Sequence, residues 1–93
     1  MAIAQLLYGN IDSESDVLTS DFDSVELNTG ETYEFVKASR KYLIVNALAD
    51  IYVAFTSDGS TPDAAAQPRC KIVSGSSFPF AIRTGIKITV IAA

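Results

Sequence analysis

Ninety-three residues suffice for one domain, and a chain this short buries only roughly 60 to 65% of the surface it exposes when unfolded. With 48% apolar and 19% charged residues, five Phe, four Tyr and no Trp, the composition is that of a globular chain, and disorder is not expected. The absence of histidine removes Ser-His-Asp and Cys-His nucleophiles and histidine metal sites, and a net charge of −4 disfavours contact with nucleic-acid phosphates.

Apolar and polar side chains alternate in short runs closed by turn residues, the pattern of half-buried strands. The first run, residues 3–8, stops at Gly9-Asn10. It has no basic leader, and its apolar stretch is too short for a signal peptide, so no export is expected. A weaker run lies at residues 16–19, and residues 22–27 change phase between Phe22 and Val25, which predicts a bulge there. Asn28-Thr29-Gly30 reads as a short hairpin loop in which Gly30 supplies a positive φ. Residues 32–36 then set Tyr33 and Phe35 on one face, with Thr32 and Glu34 on the other.

Two longer strands, residues 41–47 and 51–56, are joined across Leu48-Ala49-Asp50. Leu43, Val45, Ile51, Val53 and Phe55 face one core, which loads the opposite face with Tyr42, Ile44, Tyr52 and Ala54. That second face needs a cover, either a loop of this chain or another protein. Asn46 and Asp50 interrupt the most apolar stretch well short of the ~20 residues of a membrane span, so no membrane partner is expected. Residues 57–68 form a long polar connection in which Thr61 and Pro62 are placed to start one brief helical turn. Three further alternating runs centre on Cys70 and Ile72, on Phe78 and Phe80, and on Ile86, Ile88 and Val90, separated by Ser74-Gly75-Ser76 and Thr84-Gly85. Pro79 lacks an N–H and assigns its strand to a sheet edge or a bulge. The expected fold is all-β: one antiparallel β-sandwich or jelly-roll-like barrel of about eight strands over residues 1–93.

The side chains available for chemistry are few. Cys70 stands alone, which leaves no intrachain disulfide or multi-cysteine metal site and makes it a core filler. Asp21 with Asp23, or Asp12, Glu14 and Asp16, are the only carboxylate groupings suited to acid-base work, and a chain this small has little material to build a pocket around them. The second grouping begins like a calcium loop, but Val17 stands where glycine is needed and Asp23 where glutamate is. No catalytic residue, metal or cofactor is therefore expected. Charge is segregated: residues 1–36 carry eight carboxylates and no Lys or Arg, and residues 37–93 carry seven cations and three carboxylates. The halves either pair within one fold or meet between neighbouring copies. Arg69, Lys71, Arg83 and Lys87 are able to share one outer face.

Residues 42–93 contain Ile51-Tyr52-Val53-Ala54-Phe55, the loop through Asp58-Gly59-Ser60-Thr61-Pro62, then Cys70-Lys71-Ile72-Val73, Phe78-Pro79-Phe80 and the closing Gly85-Ile86-Lys87-Ile88-Thr89-Val90-Ile91-Ala92. This succession resembles the small all-β decoration, or cement, proteins on the heads of tailed bacteriophages. The resemblance covers about half the chain and lies in strand rhythm and loop composition. It implies a non-enzymatic virion component, made in the host cytoplasm and seated on the outer surface of the major capsid protein, which it binds to stabilise the head. It also implies a homo-oligomer, with a trimer favoured. Tyr42, Ile44 and Tyr52, together with Arg69, Lys71, Arg83 and Lys87, are the expected interface residues. The alternatives are another virion accessory subunit, such as a head-fibre base, tail or connector component, and a carbohydrate-binding or adhesin module that stacks sugars on Tyr8, Tyr33, Tyr42 or Tyr52.

Overall fold

In the computed structural model, which describes residues 2–11, 18–36 and 42–93, the alternating runs become eight strands. They are β1 (Ala4–Ile11), β2 (Leu18–Leu27), β3 (Thr32–Glu34), β4 (Tyr42–Ala47), β5 (Ile51–Thr56), β6 (Cys70–Ile72), β7 (Ser77–Ala81) and β8 (Lys87–Ala92). Two four-stranded antiparallel sheets result, a first with the order β2-β1-β4-β7 and a second with the order β3-β8-β5-β6. Only β1–β2 and β5–β6 connect within a sheet, and every other connection crosses between sheets, which gives the sandwich a jelly-roll-like winding. Every second residue points between the sheets: Ala4, Leu6 and Tyr8 from β1, Leu43, Val45 and Ala47 from β4, Ile51 and Val53 from β5, Ile88 and Val90 from β8. Phe35, just beyond β3, is wholly buried among them.

Several local expectations change. The runs at residues 16–19 and 22–27 belong to one strand, β2, so far as they are described, since Asp16 and Val17 lie outside the described residues. The ladder is continuous from Leu27 to Phe22, and its irregularity lies beyond Phe22, where Gly9 pairs with Phe22 but Ile11 pairs with Leu18. The strand keeps its phase by setting Asp23 on the core-facing side opposite Tyr8, and no bulge separates Phe22 from Val25. Gly30 does adopt a positive φ of 84°. The turn it makes is not a hairpin, however, because β3 pairs with β8 and the Gly30 N–H donates to the Val90 carbonyl. No helical turn starts at Thr61. The Asp63 carboxylate instead accepts the Ala65 N–H at 2.9 Å, a side-chain-to-backbone bond that competes with a helix, and the following Gln67-Pro68 opposes its continuation. Pro79 lies, as expected, on an edge strand, β7.

Candidate interaction surfaces

The seven expected interface residues fall in three places. Tyr42 and Ile44 lie on the outer face of the first sheet, where register aligns Leu7, Ile44 and Pro79 across three strands and sets Tyr42 beside Ala81. Tyr42 is 41% exposed, Leu7 and Ile44 are half-buried, and Pro79 and Ala81 are exposed, so the row forms an apolar strip open to a partner. A polar row runs beside it. Asn46 Nδ2 donates to Gln5 Oε1 at 3.1 Å, and the Ser77 hydroxyl donates to Asn46 Oδ1, a ladder that ties β1, β4 and β7 together.

Tyr52, Arg69, Lys71 and Lys87 gather instead on the outer face of the second sheet, where the chain covers itself. The Arg69 guanidinium lies 3.7 Å from the centroid of the Tyr52 ring, and Lys71 Nζ is 6.0 Å from it, because β6 runs alongside β5 with Lys71 opposite Tyr52. Arg69 Nη1 also donates to the carbonyls of Ala64 and Ala65, and Lys87 Nζ donates to the Gly59 carbonyl at 2.9 Å. These bonds draw the 57–68 connection onto the sheet, with Pro62 and Ala64 buried beneath it and Ala54 and Thr89 buried on the strands. Within the loop, the Ser60 hydroxyl and N–H both donate to Asp58, and the hydroxyl first of all holds that carboxyl below the ordinary aspartate range. Tyr52 is therefore covered by the chain's own Arg69. Arg83 stands apart from both faces, exposed in the turn between β7 and β8, where its carbonyl accepts the Ile86 N–H.

An apolar groove between the sheets escaped the sequence analysis. β6 starts at Cys70, which pairs with Val53, so among the described residues β5 has no ladder partner on that side from Ala54 to Thr56. Two adjoining concavities of about 300 and about 280 Å³ open there, sharing Phe55 and Phe80, and Arg69 and Cys70 line the second. The Phe55 and Phe80 rings stand 4.8 Å apart between centroids, and Phe78, 5.0 Å from Phe80, is 46% exposed. Alternation alone assigns Phe78 and Phe80 to the core. The signal that they lie at an opening is Pro79 between them, which marks β7 as an edge.

The described residues contain no cluster of His, Cys, Asp and Glu able to hold a metal ion, and Asp12, Glu14 and Asp16 lie outside them. No helix among the described residues is long and apolar enough to cross a membrane. Cys70 is a free, half-buried thiol packed against the core. As for a sugar-stacking platform, Tyr8 and Tyr33 bond hydroxyl to hydroxyl and pack on Phe35, and Tyr52 lies under Arg69, which leaves Tyr42 as the openly exposed ring of the four. No family model, curated protein or solved structure matches this chain.

Proposed function

We propose that the chain is a non-enzymatic structural protein of a virion, a capsid decoration protein that seats the outer face of its first sheet on the major capsid protein and stabilises the head. The observation that carries the reading is the Leu7–Ile44–Pro79 strip with Tyr42 at its flank: an apolar face on one side of the sandwich, while the other side is closed by the chain's own loop. An open apolar strip beside a satisfied polar row suits a protein partner, which needs a greasy centre and a polar rim. The likeness of residues 42–93 to the decoration proteins supports the same reading.

The test is co-sedimentation with heads of a tailed phage that carries this gene, after removal of their own copy of the protein. The unaltered chain is expected to bind in saturable fashion and to raise the temperature at which the heads lose their DNA. Tyr42→Asp and Ile44→Asp are expected to weaken binding at least about tenfold, the scale of losing an interface anchor worth more than ~1 kcal/mol, while Lys87→Met on the loop-covered face binds normally. Heads that ignore the chain, or variants that bind as the unaltered chain does, overturn the proposal.

A further inference from the structure

Among the described residues, the strand order converts a charge asymmetry along the chain into one across the sandwich. β2 and β3 are outermost in their sheets at one side, and β7 and β6 at the other. Contacts of Tyr8 with Tyr33 and of Phe55 with Phe80 fix which sides coincide. Residues 18–36, which hold β2, β3 and the turn between them, contain five carboxylates and no Lys or Arg. Residues 64–93 contain four cations and no Asp or Glu, and three of these, Arg69, Lys71 and Arg83, lie on β6 or beside β6 and β7.

The two sides also match in exposure. Glu26, Glu31 and Glu34 are exposed on the first side, and Val36, 65% exposed, follows Glu34 there. On the second side Arg69 lines the Phe55–Phe80 groove, Lys71 on β6 and Arg83 just past β7 are exposed, and the Phe78 ring stands open. Among the described residues Arg69 reaches a tyrosine ring and two carbonyls but no carboxylate.

We propose that a second copy of the chain occupies the groove side: the acidic β2–β3 side of one copy docks on the basic, phenylalanine-lined β6–β7 side of the next. Two copies related by a two-fold axis through either side would oppose like charges, whereas acidic against basic is complementary. The contact is therefore heterologous, and it closes into a ring or propagates as a chain. The body measures 37 × 30 × 21 Å, so its smallest face is about 600 Å², of the order of the ~800 Å² that one partner buries in a stable contact. The association stands on the sandwich sides alone and does not depend on the capsid reading.

The test is sedimentation of the full chain and of two neutralised pairs of variants, Arg69→Gln with Arg83→Gln on the basic side and Glu26→Gln with Glu34→Gln on the acidic side. The unaltered chain is expected to self-associate at low salt, and about tenfold more weakly when ionic strength rises from about 0.05 to about 0.5 M and screening shortens. Each variant pair alone is expected to associate at least about tenfold more weakly, since it lacks charge on one side of every contact. An equimolar mixture of the two is expected to recover association and to stop at dimers, because one complementary pair of sides survives. An unaltered chain that is monomeric at low salt, an association indifferent to salt, or a mixture that fails to associate overturns the proposal. The salt series needs no substitution and so does not depend on the variants folding. A chain that binds phage heads but never associates with itself would remove this inference and leave the capsid reading standing; association without head binding does the reverse.

Discussion

Phe35 shows how much one side chain carries in so small a core. It sits just past the end of β3, has no exposed surface, and meets the rings of Tyr8 and Tyr33 edge-on at centroid distances of 5.1 and 5.3 Å. Such tilted pairs add to the burial of the ring itself. Its N–H donates to the Ile86 carbonyl and its own carbonyl accepts the Gly85 N–H, so the backbone is fixed on the same residue that fills the core. Phe35→Ala removes the ring without disturbing those bonds and is expected to cost about 3–5 kcal/mol. Small domains are stable by only about 5–15 kcal/mol, so the variant loses a large share of its margin. Urea denaturation followed by circular dichroism measures it: the midpoint should fall while the slope with denaturant is unchanged. A loss under about 1 kcal/mol would mean that the three rings do not form the tight cluster that their geometry describes. At this scale the sequence is informative for Phe35, whose place beside Tyr33 in an alternating run marks it as inward-facing. It is silent on Arg69 and Tyr52, because their stacking depends on the register of β6 against β5, which no local pattern encodes.

Among the elements, β7 is the one whose sequence reports both its place and its hazard. Ala47 donates its N–H to the Ser76 carbonyl, and the two-residue period of the antiparallel ladder then turns the backbone groups of Ser77, Pro79 and Ala81 away from β4 and towards the open edge. Proline at the middle of those three leaves a gap in the row of edge donors, which opposes pairing with a strange strand. Pro79→Val restores the missing N–H within Ser-Phe-Val-Phe-Ala, a segment of high strand propensity without charge. The variant is expected to aggregate on standing or gentle heating, with thioflavin fluorescence rising and no relief from added salt. A Pro79→Val chain as soluble as the unaltered one would show that the edge is guarded by something else. The strands themselves were legible because period-two alternation survives in nearly every one, and β5 was bounded to the residue. What was not legible is the division into sheets. Asn28-Thr29-Gly30 and Leu48-Ala49-Asp50 have the length and composition of hairpin loops, yet each carries the chain from one sheet to the other. Winding is decided by long-range burial of both inner faces, and local turn chemistry does not distinguish a hairpin from a crossover. For the same reason Tyr42 and Tyr52, side by side in the sequence reading, stand on opposite outer faces.

For the whole molecule, the question is whether one copy alone accounts for its stability. The core is a single cluster two sheets thick, one outer face is closed by a loop that Arg69 and Lys87 hold down, and the other outer face and the groove side keep apolar surface open. Among the described residues exposed carboxylates lie on the β2–β3 side, where Lys87 stands opposite Glu34, and exposed cations on the β6–β7 side, and a neighbour of opposite charge complements both. Association of folded chains draws the folding equilibrium towards the native state by mass action, since unfolded chains present no sides to dock. If the sandwich sides meet as proposed, raising the protein concentration tenfold at low salt stabilises the folded state by up to ~1.4 kcal/mol per contact once the dissociation constant is exceeded. In a domain of this length about 1 kcal/mol shifts the melting temperature by about 4–8 °C. Melting curves by differential scanning calorimetry across a concentration series are therefore expected to climb at low salt. At high salt, where the Debye length falls to about 3 Å near 1 M and the sides no longer attract, they are expected to flatten. A melting temperature indifferent to concentration at low salt would mean that the isolated sandwich holds itself together and that its charged sides are simply solvated.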